Sequence, residues 1–239
     1  MVSLVGCAPS RAEVAAERAL DYLERTDDEL GLDVVAAIQI YAAEKGDARA
    51  AEVAEARRAG LAPSEVARWG RLLTLDKPPL TAEVLDPSAA SASHAGPADD
   101  LMDDRVVACV DEALACALSD RCREFVELEG RGGYVLTHQA FALLLTSWGG
   151  CDASWDEGAR RRTLAADLAF EVAMDPGPSD LANERLAMLA SLGFASAIEP
   201  AWIQALLDAQ REEGCFEPSP GAGCHPHPTG LALWALGHR

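Results

Sequence analysis

Four apolar stretches of this chain each begin with, or just behind, a polar residue able to do acid–base or metal chemistry. They read Leu32-Asp33-Val34-Val35-Ala36-Ala37, Thr137-His138-Gln139-Ala140-Phe141-Ala142, Asn183-Glu184-Arg185-Leu186-Ala187-Met188 and Thr229-Gly230-Leu231-Ala232-Leu233-Trp234. In the fourth, Gly230 takes the aligned position, and Cys224, His225 and His227 stand shortly ahead of it. Two carboxylates, an imidazole and a His/Cys source suit Zn²⁺ or a related cation if the four stretches meet. The same groups could exchange protons with a substrate. Each also has a plainer reading. Acidic Asp33 and Glu184 suit the positive end of a helix dipole. His138 could be a hydrogen-bonded core or capping histidine, and His225 and His227 could merely decorate a Pro-rich loop.

The elements that must position these residues come in pairs. Period-3.6 patterning predicts a helix over 11–25 and a second that opens at Gly31-Leu32-Asp33 and ends near Lys45-Gly46. Helix continues through 47–75, with Pro63-Ser64-Glu65 opening a new one. From 76 to 104 the composition turns to Pro, Ser, Ala and Asp, which reads as a flexible insertion, either a linker or a long loop within one domain. A second hairpin pairs 105–118 and 121–128 with 137–148, and a third pairs 157–173 with 181–192. The fourth begins at Trp202 and returns behind His227-Pro228-Thr229. Helix pairs recurring every 35–45 residues or so mark a stacked or closed helical array.

The fourth hairpin carries the pattern Gln210-Arg211-Glu212-Glu213-Gly214-Cys215-Phe216, or QxxxGxF. Gln210 ends a helix, where its amide can bond backbone groups that have no intrahelical partner. Gly214 permits a tight turn, Phe216 can pack across the hairpin, and Thr229 is placed to cap the returning helix. This segment resembles a repeat of the α/α-toroid superfamily, which contains squalene and terpene cyclases and the protein prenyltransferases and whose repeats carry QxxxGxW. Here Phe216 replaces the Trp. The resemblance implies an all-α, α/α-toroid-like array of helical hairpins, and too few hairpins for a complete toroid imply a partial or small barrel. It further implies that the second helix of each pair lies inside, so that Asp33, His138 and Glu184 face one cavity with His227 at its rim. Prenyltransferases hold zinc with an Asp, a Cys and a His directly before a Thr. Here Pro228 separates His227 from Thr229, no Asp-x-Cys pair matches, and the DxDD acid of the protonating cyclases is absent. His227 is the one residue the resemblance carries over, as a zinc ligand.

Composition agrees with helices. Of 239 residues 49% are hydrophobic types, rich in Ala and Leu, enough for one sizeable core or two small ones. The formal charge of -19 repels phosphate backbones and argues against a nucleic-acid partner. No GxSxG elbow, Walker loop, GxGxxG or HExxH occurs, and a Cys224 nucleophile served by His227 or His138 would sit on a poor Gly/Pro-rich platform. Leu4-Val5-Gly6-Cys7 reads as a bacterial lipobox, although only six residues precede Cys7. Residues 1–10 are then a lipobox and tether, and 11–239 the folded domain. No segment reaches the roughly 18 apolar residues of a membrane span.

Setting Cys7 aside, six cysteines remain, compatible with three disulfides in an oxidising compartment. Cys215 with Cys224 could close the last loop, and Cys122 with Cys151 could tie the second hairpin. Cys109 and Cys116, seven apart on one helix, cannot bridge each other and could be free buried residues.

Two functions follow. One is an enzyme, zinc-dependent in one form, that acts on a hydrophobic or peptide-like small substrate. In it Asp33, His138, Glu184 and His227 bind metal or act as acid and base, and Phe141, Trp148 or Trp234 form the wall. The other is a non-catalytic cell-envelope lipoprotein that binds a partner or glycan. Location is accordingly the cell envelope or the cytoplasm.

Overall fold

A computed structural model describes residues 9–75, 77, 80–91 and 104–238. The lipobox, Cys7 included, lies outside the described residues. Among them the fold is all-α, with eleven helices and no strand. The helices are α1 (Arg11–Arg25), α2 (Leu32–Lys45), α3 (Ala48–Arg58), α4 (Pro63–Trp69), α5 (Asp104–Ala115) and α6 (Asp120–Glu127). They continue with α7 (Gly133–Gly149), α8 (Glu157–Met174), α9 (Asp180–Leu189), α10 (Pro200–Ala209) and α11 (Pro226–Gly237).

Burial separates two kinds of helix. Eleven of the twelve residues of α11 are buried, and nine of the ten of α9. Only five of the fifteen of α1 are buried, all on one stripe. A helix covered all round lies inside, and one with a single apolar stripe lies on the surface. The four buried second helices touch in the order α2–α11–α9–α7. Outside them, α1 packs on α11, α5 on α7, and α8 on both α7 and α9. Between α2 and α5 sits the 3₁₀ turn Gly70–Leu73.

Close approach at the α2–α11 seam depends on small residues. A Cβ at Gly230 would stand 3.1 Å from Val34 Cγ1, and one at Gly237 would stand 3.3 Å from the Tyr41 ring. Gly230 therefore faces α2, and its alignment with Asp33, His138 and Glu184 reflects spacing only.

The QxxxGxF corner has the contacts expected of Gln210, Gly214 and Phe216. Gln210 Nε2 donates to the carbonyls of Ala15 (2.7 Å) and Gly214 (2.9 Å), which fastens the corner to α1. Gly214 has φ +95°, and a Cβ there would run into the Arg18 carbonyl. Phe216 is buried, and its N–H donates to Thr229 Oγ1 at 2.9 Å. Thr229 in turn donates to the His225 carbonyl at 2.7 Å. The cap of α11 is His225, whose Nδ1 accepts from His227 N, so Thr229 lies one turn inside the helix it was expected to cap.

Two other expectations change. The described part of the insertion, 80–91, is fixed to the body: Glu83 N donates to the Gly193 carbonyl, and buried Ser91 bonds Asp167 through both its N–H (2.7 Å) and its hydroxyl (2.8 Å). The cysteines pair as Cys109–Cys122, Cys116–Cys151 and Cys215–Cys224, with Cα separations of 4.8, 5.2 and 5.5 Å. The last is the expected loop closure. Cys122–Cys151 is wrong, and Cys109 and Cys116 are not free, because α5 stops at Ala115. Cys116 then takes φ +52° and turns toward the loop after α7, which leaves Cys109 facing α6.

Candidate functional site

Asp33, His138, Glu184 and His227 come together. They line one cavity of about 370 Å³, with Tyr134 beside them and Ala36, Ile40, Leu72, Phe141, Met188, Leu231 and Trp234 as its apolar wall. Each of the four comes from a different inner helix: Asp33 from α2, His138 from α7, Glu184 from α9 and His227 from α11. Trp148, expected in the wall, lies behind Trp234 with ring centroids 6.4 Å apart and lines a neighbouring cavity instead.

The polar residues form two levels. At the mouth, Asp33 and His227 are both second residues of their helices, and Asp33 Oδ2 is hydrogen-bonded to His227 Nδ1. Their side chains keep 44% and 38% of their area in solvent, which marks the pair as the rim. The far ring nitrogen, Nε2, lies 3.5 Å from Asp180 Oδ1. Tyr134 donates its hydroxyl to Asp180 Oδ2 at 2.9 Å. One turn deeper, His138 Nδ1 donates to the Tyr134 carbonyl at 2.8 Å and lies 3.6 Å from Glu184 Oε1. Glu184 Oε2 and Asp180 Oδ1 are buried and have no hydrogen-bond partner among the described residues.

Burial and charge pull these groups apart in acidity. Burial alone would push His227 down, but the hydrogen bond and charge of Asp33, joined by Asp180 and Glu184, raise it to about 9. Burial acts on Asp33 in the opposite sense, and the bond to His227 and its charge hold that carboxyl below its usual range. The two directions agree on an ion pair, Asp33⁻ with His227⁺. Burial pushes Glu184 up, and neighbouring Asp180 adds to this, against a weaker pull from His138 and His227.

A supporting shell sets these positions. Glu171 of α8 accepts the Gly133 N–H at the start of α7 and binds Arg185 of α9 at 2.8 Å. Asn183 Nδ2 donates to the Pro228 carbonyl at 3.1 Å, which ties α9 to the first turn of α11. Helix α7 thus begins a turn before Thr137, capped by a carboxylate 38 residues away. The first-turn counterparts of Asp33 and His227 are therefore Tyr134 and Asp180, and His138 and Glu184 stand four residues further on. Sequence reasoning passed over Tyr134 and Asp180. Ser179, whose hydroxyl caps α9, was the local signal for Asp180; Tyr134 had none.

Among the described residues, one set of three or more His, Cys, Asp or Glu donors lies within 4.8 Å of one another: Glu213, Cys215 and Cys224. Its sulfurs are joined in a disulfide, so it is no zinc site as it stands. The donors of Asp33, His138, Glu184 and His227 form no such set.

Residues 98–227, just over half of the chain, match the domain of unknown function DUF6895. The chain belongs to that family. The DUF6895 match runs from ahead of α5 to His227, so it includes His138, Glu184 and His227, while Asp33 lies outside it. No solved structure matches the chain. No helix among the described residues is long and apolar enough to cross a membrane.

Proposed function

We propose that this chain is an α/α-toroid-like enzyme that performs acid–base chemistry on a small hydrophobic or peptide-like substrate in the central cavity. The observation that carries the reading is the meeting of titratable side chains from four helices above an apolar wall. Sites of this kind, with few polar groups over a mostly apolar lining, are where small substrates bind. The order of the inner helices supports the toroid resemblance, since each follows the last around the cavity. In this reading His227, charged and held by Asp33, is the proton donor at the mouth. Glu184, with His138 beside it, exchanges the second proton deeper in. His227 and Glu184 are both raised above their ordinary values, and perturbed titratable groups gathered in a cavity are a usual mark of acid–base sites.

The test is turnover of a panel of apolar amides, esters and allylic diphosphates, followed by mass spectrometry. His227→Ala and His138→Ala should each lower the rate about 100-fold or more with unchanged helical circular dichroism. Turnover indifferent to both variants sinks the proposal.

Zinc is a second reading, favoured by the unpartnered Glu184 Oε2 and Asp180 Oδ1. With His138 these side chains would have to draw together to hold it, since among the described residues their donor atoms do not all lie within 4.8 Å of one another, and it would supply Lewis acidity at that point. Elemental analysis of protein purified without chelator decides it. The other alternative is a non-catalytic cell-envelope lipoprotein that binds a partner or glycan and is tied to a membrane only through lipid on Cys7. Three disulfides favour it, because such bonds persist in oxidising compartments. Ligand binding without turnover is the outcome that selects it.

A further inference from the structure

The polar end of the cavity is rich in acceptors, and every donor on its lining side chains is already committed. Tyr134 gives its hydroxyl proton to Asp180, and Trp234 Nε1 donates to Ser191 at 2.8 Å. His227 is held by Asp33 at one nitrogen and faces Asp180 with the other. His138 has spent Nδ1 on the Tyr134 carbonyl, so its neutral form leaves Nε2 as an acceptor. Glu184, 7% exposed, leaves Oε2 without a hydrogen-bond donor among the described residues, and Asp180, 8% exposed behind Tyr134, has at Oδ1 only the ion-pair contact with the His227 ring at 3.5 Å.

Buried acceptors without donors are costly, and buried carboxylates without a cation more so. Asp180 and Glu184 are also four apart on α9, a spacing at which like charges repel. His227, already paired with Asp33, is shared with Asp180 and Glu184, so its one charge offsets the carboxylates only in part. A ligand that completes this end must therefore bring positive charge and several N–H groups, attached to a body that suits Phe141, Met188 and Trp234.

We infer that the cavity takes a small primary ammonium ligand, a protonated alkyl- or arylalkylamine, with its head on Glu184 and its body against the aromatic wall. This rests on the reading of the cavity as the functional site and names its ligand class. Acceptors on two helices, Glu184 on α9 and His138 on α7, suit the divergent donors of an ammonium better than the planar fork of a guanidinium. Trp234 and Phe141 add a cation–π surface. The volume of about 370 Å³ lies at the low end of small-molecule sites, which suits a compact amine.

The experiment is calorimetric titration of the full, disulfide-bonded chain with three matched probes: 2-phenylethylamine, 2-phenylethanol and 3-phenylpropanoate. The amine should bind at least about 10-fold more tightly than the alcohol, a difference of about 1.4 kcal/mol, and the acid not at all. Glu184→Gln should erase that preference, and Met188→Trp, which fills the cavity, should abolish all binding. Circular dichroism checks that both variants fold, and either alone suffices to decide. If the alcohol or acid binds as tightly as the amine, and Met188→Trp abolishes it, the ammonium inference falls while the cavity reading stands. Amine binding that Glu184→Gln leaves unchanged also overturns the inference. Zinc chloride that displaces the amine overturns it in favour of a metal. Failure of all three probes at millimolar concentration overturns both the inference and the cavity reading.

Discussion

The QxxxGxF corner and the cavity are both built from polar residues set among buried apolar ones, yet they treat hydrogen bonds in opposite ways. At the corner, the Gln210 amide donates twice, Thr229 both donates and accepts, and His225 caps the helix. In the cavity, among the described residues, Glu184 keeps a buried oxygen with no donor, and Asp180 keeps one that has no hydrogen bond and only the ion-pair contact with His227. Satisfied polar groups stabilise a fold, and a buried group left unsatisfied is a cost that something outside the chain relieves. The corner is architecture and the cavity is a site, and the two are told apart by their missing partners more than by their residue types.

The sharpest way to break this comparison is at Gly214. Gly214→Ala places a Cβ against the Arg18 carbonyl at a positive φ, so it should cost about 3 kcal/mol or more and lower Tm by roughly 6–12 °C. Ligand binding at the cavity should survive below the new Tm. A thermal melt settles the first part and calorimetry the second. If the variant melts like the wild type, the corner does not hold α1 and α10 together as described.

Glu184→Gln should do the reverse. Replacing a buried, unpartnered carboxyl with a neutral group of the same shape should leave stability within about 1 kcal/mol of wild type or raise it, while binding or turnover drops at least about 10-fold. Denaturant unfolding read beside the ligand assay checks this. A loss of 3 kcal/mol or more would make Glu184 a structural residue and remove the contrast.

These variants also mark what the sequence made legible. Apolar periodicity was enough for the paired helices, and Gln210, Gly214, Phe216 and Thr229 were found because each has a role within its own hairpin, although Gln210 and Gly214 also meet α1. Asp33, His138 and Glu184 were chosen by alignment and His227 by the toroid resemblance, and the structure brings all four to one cavity although the alignment was a turn out for α7 and α9. For α7 the error came from Gly133, whose N–H is held by Glu171 on another helix and so leaves no local trace, and Tyr134 was lost with it. For α9 the capping Ser179 was a local signal, and Asp180 was passed over in spite of it. The expected Cys122–Cys151 pairing failed for a related reason, since the positive φ at Cys116 that ends α5 has no Gly or Pro to announce it, while the local Cys215–Cys224 bridge was legible.

The smallest expected effect is on pH dependence at the rim. His227 is raised to about 9 from an ordinary 6.5, so its stabilising pairing with Asp33 is fully present below pH 6.5 and is lost as pH rises through about 9. Asp33, lowered from 3.8, gives the mirror case: its share is present above that value and lost as pH falls. Because both side chains are more than a third exposed, the effect should be about 1 kcal/mol or less. Measured against His227→Asn, wild type should keep a constant advantage at pH 5–6 that vanishes above about pH 10. An advantage that grows with pH would show that the pair is not ionic.

One consequence concerns the order in which the molecule is assembled. Asp33 and His227 are 194 residues apart, and α11 fills the space between α2 and α9. Closing a loop of that length is entropically slow, and contacts so distant in sequence form late. During synthesis, α2 and α9 must therefore wait with apolar faces uncovered until α11 has emerged. That interval is the one in which the nascent chain is most exposed to aggregation, and the cavity cannot exist before it ends.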